Sequence, residues 1–270
     1  MNDLEIKLLL QSVQEKYGYD FTNYKTGSVA RRLDLFLASS GRKHLSELIP
    51  LVLHNPETFD LLLNTLTINV TGMFRDPAIF SFIREKIFPV LATFPRLNIW
   101  SAGCSSGQEA YSLAILLKEA GLYSQSRIYG TDINSNIIND AKEGIYAARE
   151  FADYSKNYVE SGGKTSLSDY YHVRYGSGII SEGIRKNVSF FRHNLASESV
   201  FIEAQLIMCS NVLIYFNEIL QKKVFDLFYN SLHGSGYLVL GIKEKVPSSL
   251  LNTRFEKISP DLPVYRKISA

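Results

Sequence analysis

The hydrophobic pattern changes character once along the chain. Up to about residue 90, apolar side chains recur at helical spacing, with no sign of period-two alternation. Leu4, Ile6, Leu8, Leu9 and Val13 predict an amphipathic first helix ending near Tyr17-Gly18. Residues 28–37 predict a second helix, Gly41-Arg42-Lys43 breaks the pattern, and 45–53 and 58–66 predict two more. The segment 67–77 is β-branched, holds Gly72 and ends in Asp76-Pro77, which starts a helix at the proline and carries it over 78–91. From Leu97 onward, short apolar runs alternate with helical ones. Strands are expected at 97–101, 127–131, 188–193, 204–209 and 237–241, and helices at 108–119, 135–142 and 218–232. That order implies a mostly parallel sheet with helices on both faces. Residues 254–259 and 264–268, joined through Pro260-Asp261-Leu262-Pro263, read as an antiparallel edge hairpin.

Residues 145–187 do not fit the alternation. Rich in Tyr, Gly and Ser, they are too long for a plain loop. They form either an inserted lobe or lid, or a solvated helix and hairpin with no binding role. The expected organisation is an all-helical domain over 1–76 and an α/β domain over 77–270 carrying that insertion.

Composition narrows the class. With 270 residues the chain has room for one large domain, or a large one and a small one. A net charge of +2 excludes a global basic field of the kind that draws nucleic acid or an anionic membrane. The first residues lack a basic start followed by an apolar core, and no run reaches membrane-spanning length, so a cytoplasmic protein with no direct membrane insertion is expected. Cys104 and Cys209 lie far apart without metal-ligand spacing; both read as packing residues, and no metal site is expected.

The chemistry gathers around residues 97–117, LNIWSAGCSSGQEAYSLAILL. A strand enters a small-residue turn (103–107) that opens into a helix, which brings backbone N–H groups up to a ligand. Taken alone it is equally a tight turn with no ligand. One βα unit later, Tyr129-Gly-Thr-Asp-Ile133 ends a strand with an acid. Asp132 either accepts hydrogen bonds from ribose hydroxyls or caps the next helix; its place after the first turn favours ribose. A dinucleotide site wants Gly-x-Gly-x-x-Gly for a pyrophosphate, whereas this turn has Gly103, Gly107 and the acidic Glu109. A carboxylate there suits a cationic ligand, and S-adenosylmethionine carries a sulfonium and an ammonium.

Asn69-Val-Thr-Gly-Met-Phe-Arg75, Trp100-Ser-Ala-Gly-Cys-Ser-Ser-Gly-Gln-Glu-Ala-Tyr-Ser112, Thr131-Asp-Ile133 and Cys209-Ser-Asn-Val-Leu-Ile-Tyr-Phe216 together resemble the CheR-type chemotaxis methyltransferases. Tyr24-Lys25, Arg31-Arg32, 66–69 and Gly234-x-Gly236…Gly241 match in order and spacing, so the likeness covers about residues 15–268. The resemblance implies a Rossmann-like S-adenosylmethionine-dependent methyltransferase sheet with a small β-subdomain and a helical N-terminal domain. It also implies methyl transfer to glutamate side chains in the cytoplasmic helical region of a chemoreceptor, with S-adenosylhomocysteine as product. Carried over, the cofactor contacts fall on Asn69, Thr71, Arg75, Glu109, Asp132, Asn194, Leu195, Ser210 and Asn211. Arg75 is expected to pair with the cofactor carboxylate, Glu109 with its ammonium and Asp132 with ribose. Asn194 and Leu195 would bracket adenine, and Asn211 would face the methyl-donor side. Asn194 is otherwise a turn residue, and Arg75 otherwise a structural ion-pair partner. Tyr215 either positions the acceptor carboxylate, with Arg75 as the other catalytic candidate, or is a core aromatic. Arg31 and Arg32 either face an acidic receptor helix or are solvated.

The reaction asks for no acid–base set, since a glutamate is already ionised at neutral pH and can attack the methyl in line. The chain departs from the family pattern at Met73 (usually Phe), at Ser210 (usually Arg) and at Gly241-Ile-Lys-Glu244, where Gly-His-Ser-Glu is usual. The stretch 162–171 also diverges. These departures bear more on the acceptor than on methyl transfer. Another protein or a small molecule as acceptor, or a non-catalytic sensor of S-adenosylmethionine, are the competing readings.

Overall fold

The computed structural model describes residues 2–67 and 70–269. The chain divides into two compact units, Met1–Asn69 with Tyr215–Val224, and Val70–Ile214 with Phe225–Ala270.

The first unit is helical: α1 (Asp3–Tyr17), α2 (Thr26–Ser40), α3 (Leu48–His54) and α4 (Pro56–Leu66). The Asn2 side chain caps α1 by accepting the Leu4 N–H at 3.0 Å, and left-handed Gly18 ends it. The buried stripe of α1 is Ile6, Leu9, Leu10 and Val13, an i, i+3, i+4, i+7 set. Leu4 and Leu8, expected on that face from sequence, are 59% and 44% exposed. Each lies two residues from Ile6, about 200° round the helix, and so faces away. Asn55 caps α4 with Pro56 at its first position, and Tyr17 stacks on Phe59 with ring centroids 3.7 Å apart.

In the second unit α5 (Pro77–Phe82) passes through a π-helical turn (Ile83–Ile87) into α6 (Phe88–Leu91). The single helix expected over 78–91 is thus interrupted just before Pro89, which has no N–H to donate to the preceding turn. There follow β1 (Leu97–Ala102), α7 (Gln108–Glu119), β2 (Ser126–Asp132), α8 (Ser135–Glu143), β3 (Ile145–Ala147), α9 (Phe151–Glu160), β4 (Tyr171–Arg174), β5 (Ser177–Ile180), α10 (Glu182–Arg185), β6 (Val188–Arg192) and β7 (Ala204–Cys209). The last elements are α11 (Glu218–Ser231), whose residues to Val224 count with the first unit, β8 (Leu232–Leu240), β9 (Phe255–Lys257) and β10 (Val264–Lys267).

Seven strands form one sheet in the order β6-β2-β1-β7-β8-β10-β9; the first five are parallel, and β10 runs antiparallel to both β8 and β9. All six residues of β7 and five of the six in β1 are buried, as central strands covered on both faces must be. The chain runs outward from β1 to β2 and β6, then returns to place β7 on the other side of β1. That reversal opens a crevice at the carboxyl ends of β1 and β7. This is the Rossmann-like sheet expected from sequence. β3, β5 and β4 form a separate three-stranded antiparallel sheet, the core of the inserted lobe. Among the described residues no helix is long and apolar enough to cross a membrane.

One buried carboxylate ties the lobe down. Glu119, at the end of α7, accepts from Arg84 Nη1 at 2.7 Å, from the Tyr158 and Tyr170 hydroxyls and from the Lys164 N–H. Burial pushes its pKa up, but the Tyr158 hydroxyl and Arg84 outweigh that and leave it below the usual value. A carboxyl held low in the folded state contributes stability above its unfolded value and loses it as pH falls through the folded one. Glu119→Gln should therefore cost roughly 3 kcal/mol in denaturant unfolding at pH 7, because it strands the buried Arg84. The difference from the parent should shrink below about pH 4.5. An equal penalty at pH 3 and pH 7 would mean that packing, not the ion pair, is responsible.

Candidate functional site

The loops that follow β1, β2 and β7 converge at the crevice, and backbone N–H groups hold them together. The β1 turn folds over the end of β2: the Gly103 and Cys104 N–H groups donate to the Thr131 carbonyl at 2.7 and 2.9 Å. The Ser105 N–H donates to Asp132 Oδ2 at 3.0 Å, and Asp132 Oδ1 accepts the Asn134 N–H at 3.0 Å. The cap of α8 is Asn134, whose side chain accepts from Asn136 and Ile137. Asp132 is thus not needed as the helix cap. Burial raises the Asp132 pKa, and the N–H groups of Asn134, Ser105 and Ile133 oppose the rise. An ionised carboxylate has about four lone-pair sites, so Asp132 keeps acceptor capacity beyond these bonds.

Two glycines permit the turn. Gly107 has φ +93°, and a Cβ there would stand 2.9 Å from the Phe190 ring. A Cβ on Gly103 would meet Val212 at 2.4 Å, so the β1 turn and the β7 loop press directly on each other.

Glu109, one residue into α7, points its carboxyl back at this junction, where Ser101 Oγ donates to it at 2.7 Å. Burial raises its pKa to about 7; the Ser101 and Ser210 hydroxyls and the Arg75 charge act against the rise, and the Glu244 charge adds to it. Ser210 follows β7, and its hydroxyl lies near the Glu109 carboxyl without making a hydrogen bond of normal geometry. Asn211 comes next, left-handed at φ +63°. Arg75 is exposed, its Nη1 donating to the Val70 carbonyl at 3.1 Å. It is set between two left-handed residues, Phe74 at φ +52° and Asp76 at +59°. Phe74 is fully buried, and its N–H is held by Ser112 Oγ at 2.9 Å.

The remaining residues singled out from sequence fall in three places. Thr71 is half-buried in the Arg75 loop. Asn194 and Leu195 are buried just after β6, and Asn194 Oδ1 accepts the Ala196 N–H at 2.9 Å, so its amide oxygen shapes its own turn. Tyr215 belongs to the first unit: its carbonyl accepts the Lys25 N–H, and the Arg32 guanidinium lies over its ring at 4.6 Å. Arg32 is itself buried, so the reading of it as a solvated face does not hold. Asn69 lies outside the described residues.

Several supporting residues have no local signal in the sequence. Tyr146 of the inserted lobe donates to the Ser106 carbonyl at 2.7 Å, and Gln108 Nε2 reaches the Tyr154 hydroxyl at 3.4 Å. Asn157 Nδ2 donates to the Met73 carbonyl at 3.2 Å, and a Cβ on Gly72 would meet Tyr154 at 3.3 Å. The lobe therefore braces both the β1 turn and the Arg75 loop.

Three buried polar atoms here have no partner among the described residues: Ser105 Oγ, Ser210 Oγ and Asn211 Nδ2. Buried polar atoms are rarely left unpaired unless a ligand or water serves them. Beside the carboxyls of Glu109 and Asp132 they make a donor set fit for a cationic nucleoside with hydroxyl groups. Burial drives the Cys104 and Cys209 thiols well above their usual range, and the surrounding carboxylates add to the shift, so neither is a nucleophile.

Sheet order and site together define an S-adenosylmethionine-dependent methyltransferase. The CheR methyltransferase SAM binding domain matches residues 69–262, and the CheR methyltransferase all-alpha domain matches residues 4–67. The chain belongs to the CheR methyltransferase family. It is 44% identical to “Putative methyltransferase Cher3” of Pseudomonas putida, over 98% of this chain and 97% of that one. A chemotaxis protein methyltransferase of Borreliella burgdorferi is 29% identical over 95% and 92% of the two chains. One from Listeria innocua is 28% identical over 87% of each.

Glu109 generates a prediction for the ligand-free protein. Its folded pKa of about 7 exceeds the ordinary 4.5, so the folded state holds this proton more tightly than the unfolded chain. Ionising it costs stability: nothing below about pH 4.5, and the full amount above pH 7. Glu109→Gln should therefore melt higher than the parent at pH 8, with the gap closing toward pH 4.5. Equal melting temperatures at pH 8 would refute the raised pKa.

Proposed function

We propose that this methyltransferase transfers the methyl group of S-adenosylmethionine to glutamate side chains of a chemoreceptor or related sensory protein, and so acts in the cytoplasm. The observation that carries the reading is the acidic crevice itself. Asp132 ends β2, and Glu109, at the start of α7, turns its carboxyl onto Ser101 of the adjoining parallel strand β1, with unpartnered polar atoms beside them. The names of the relatives in Borreliella and Listeria support the chemoreceptor as acceptor.

On this reading Asp132 holds the ribose hydroxyls through its spare lone pairs, and Glu109 holds the ammonium. Arg75 pairs with the cofactor carboxylate, using the forked guanidinium that suits carboxylates. Asn194 and Leu195 border the adenine; Asn69, Thr71, Ser210 and Asn211 complete the pocket, with Asn211 toward the methyl. Bound S-adenosylmethionine supplies a methyl on a sulfonium that leaves as a neutral thioether. The chain has little proton transfer to perform, because the acceptor glutamate is ionised at neutral pH. Its work is to orient two partners and to keep water from solvating charges that are about to cancel. Tyr215 is the proposed group for aligning the acceptor carboxylate.

Two measurements test this. Incubation with methyl-labelled S-adenosylmethionine and chemoreceptor cytoplasmic fragments should yield label that mild alkali releases, as it does from carboxyl methyl esters. Alkali-stable label would assign another acceptor group. In calorimetry, Asp132→Ala should weaken S-adenosylmethionine binding by at least about tenfold. Unchanged affinity would overturn the ribose assignment. Binding by the parent below pH 7 should also release protons, because an ammonium beside Glu109 lowers its pKa.

A further inference from the structure

The loop after β8 holds a buried carboxylate that the proposed mechanism does not use. Glu244 is 6% exposed and makes no ion pair among the described residues. Its Oε2 accepts the N–H groups of Asn211 at 2.8 Å and Gly241 at 2.9 Å, and its Oε1 accepts that of Ile214 at 3.3 Å. The Leu213 N–H faces the same carboxylate. One side chain therefore grips both ends of the loop that carries Ser210, Asn211 and Val212.

The grip has a reason. Asn211 stands in the left-handed region, a conformation that few residues with a Cβ adopt and that the loop must hold in place, and its Nδ2 is buried without an acceptor among the described residues. A free loop would relax both. Position 241 admits no side chain: a Cβ would lie 2.8 Å from Glu244 Oε2, 3.0 Å from Asn211 N and 3.1 Å from Asn211 Nδ2. Gly241, Glu244 and Asn211 are thus one packed unit. Between them Ile242 and Lys243, where the chain departs from the usual family run, are exposed.

We propose that Glu244 is a positioning residue for the methyl donor, acting through the backbone of the 210–214 loop to fix the Asn211 amide at the cofactor. The proposal rests on the reading of Asn211 as a cofactor contact, and it also places the Glu244 charge where it bears on Glu109, alongside Ser101, Ser210 and Arg75.

Binding of S-adenosylmethionine, followed by calorimetry on the full chain, tests it in a double-mutant cycle. Asn211→Ala and Glu244→Gln should each weaken binding by about tenfold, and the double variant should be little worse than either, because both remove one arrangement. In the ligand-free protein, Glu244→Gln should speed hydrogen exchange at the Asn211, Ile214 and Gly241 amides and lower the pH midpoint of Glu109. Glu244→Asp keeps the charge but not the reach; it should lose affinity while leaving that midpoint in place, and it serves if the glutamine variant does not fold. Wild-type affinity in the Glu244 variants, or penalties that simply add to that of Asn211→Ala, would overturn the proposal. Wild-type affinity in Asn211→Ala alone is a different failure: it would remove Asn211 from the cofactor site.

Discussion

The site depends on one repeated interaction, a buried carboxylate held by backbone N–H groups instead of by a cation. Asp132 bolts the β1 turn to the start of α8, and Glu244 bolts the loop after β7 to the end of β8. Neither makes an ion pair among the described residues. A lysine or arginine partner would have cancelled each charge at the cost of desolvating a second one. Peptide dipoles do the same work locally while leaving the unit charge uncancelled at longer range. Two loops that must stand still around a ligand are thereby fixed by groups that also set the electric field between them.

That field adds to the effect of burial on the groups nearby. Glu109 is raised by burial first and by the Glu244 charge as well. The thiols of Cys104, in the turn after β1, and Cys209, at the end of β7, are raised by burial and then by Asp132 and Glu109, with Glu244 also acting on Cys209. Burial is the larger part of these shifts; the part that comes from neighbouring carboxylates is a negative potential, which repels a pyrophosphate and attracts a sulfonium or an ammonium. The small-residue turn after β1, ambiguous by shape, is resolved by charge.

Much of this was legible in the sequence because it is written in local patterns. The switch from helical spacing to short apolar runs marks the sheet, the reversed last pair marks its edge, and the acid ending β2 sits at a predictable place. What escaped depends on contacts between distant residues. The Tyr-rich stretch over 145–187 is visibly an interruption, yet nothing local says that Tyr146 will hold Ser106 or that Asn157 will hold Met73. Glu244 was obscured by its neighbours: Ile242 and Lys243 look like a departure, whereas the physics resides in the buried glycine and glutamate that flank them. Tyr215 closes a strand-like motif but counts with the helical unit, where Arg32 covers its ring.

The same field bears on turnover under the proposed reading. S-adenosylmethionine carries a sulfonium, an ammonium and a carboxylate, for a net charge of about +1, and methyl transfer leaves a neutral thioether and a net charge near zero. The charges of Asp132, Glu244 and the ionised form of Glu109 interact favourably with the sulfonium of the first and have no such charge to act on in the second. A cation paired with Glu244 would have secured the loop equally well and weakened that preference. Anchoring by backbone N–H groups satisfies both demands with the same residues.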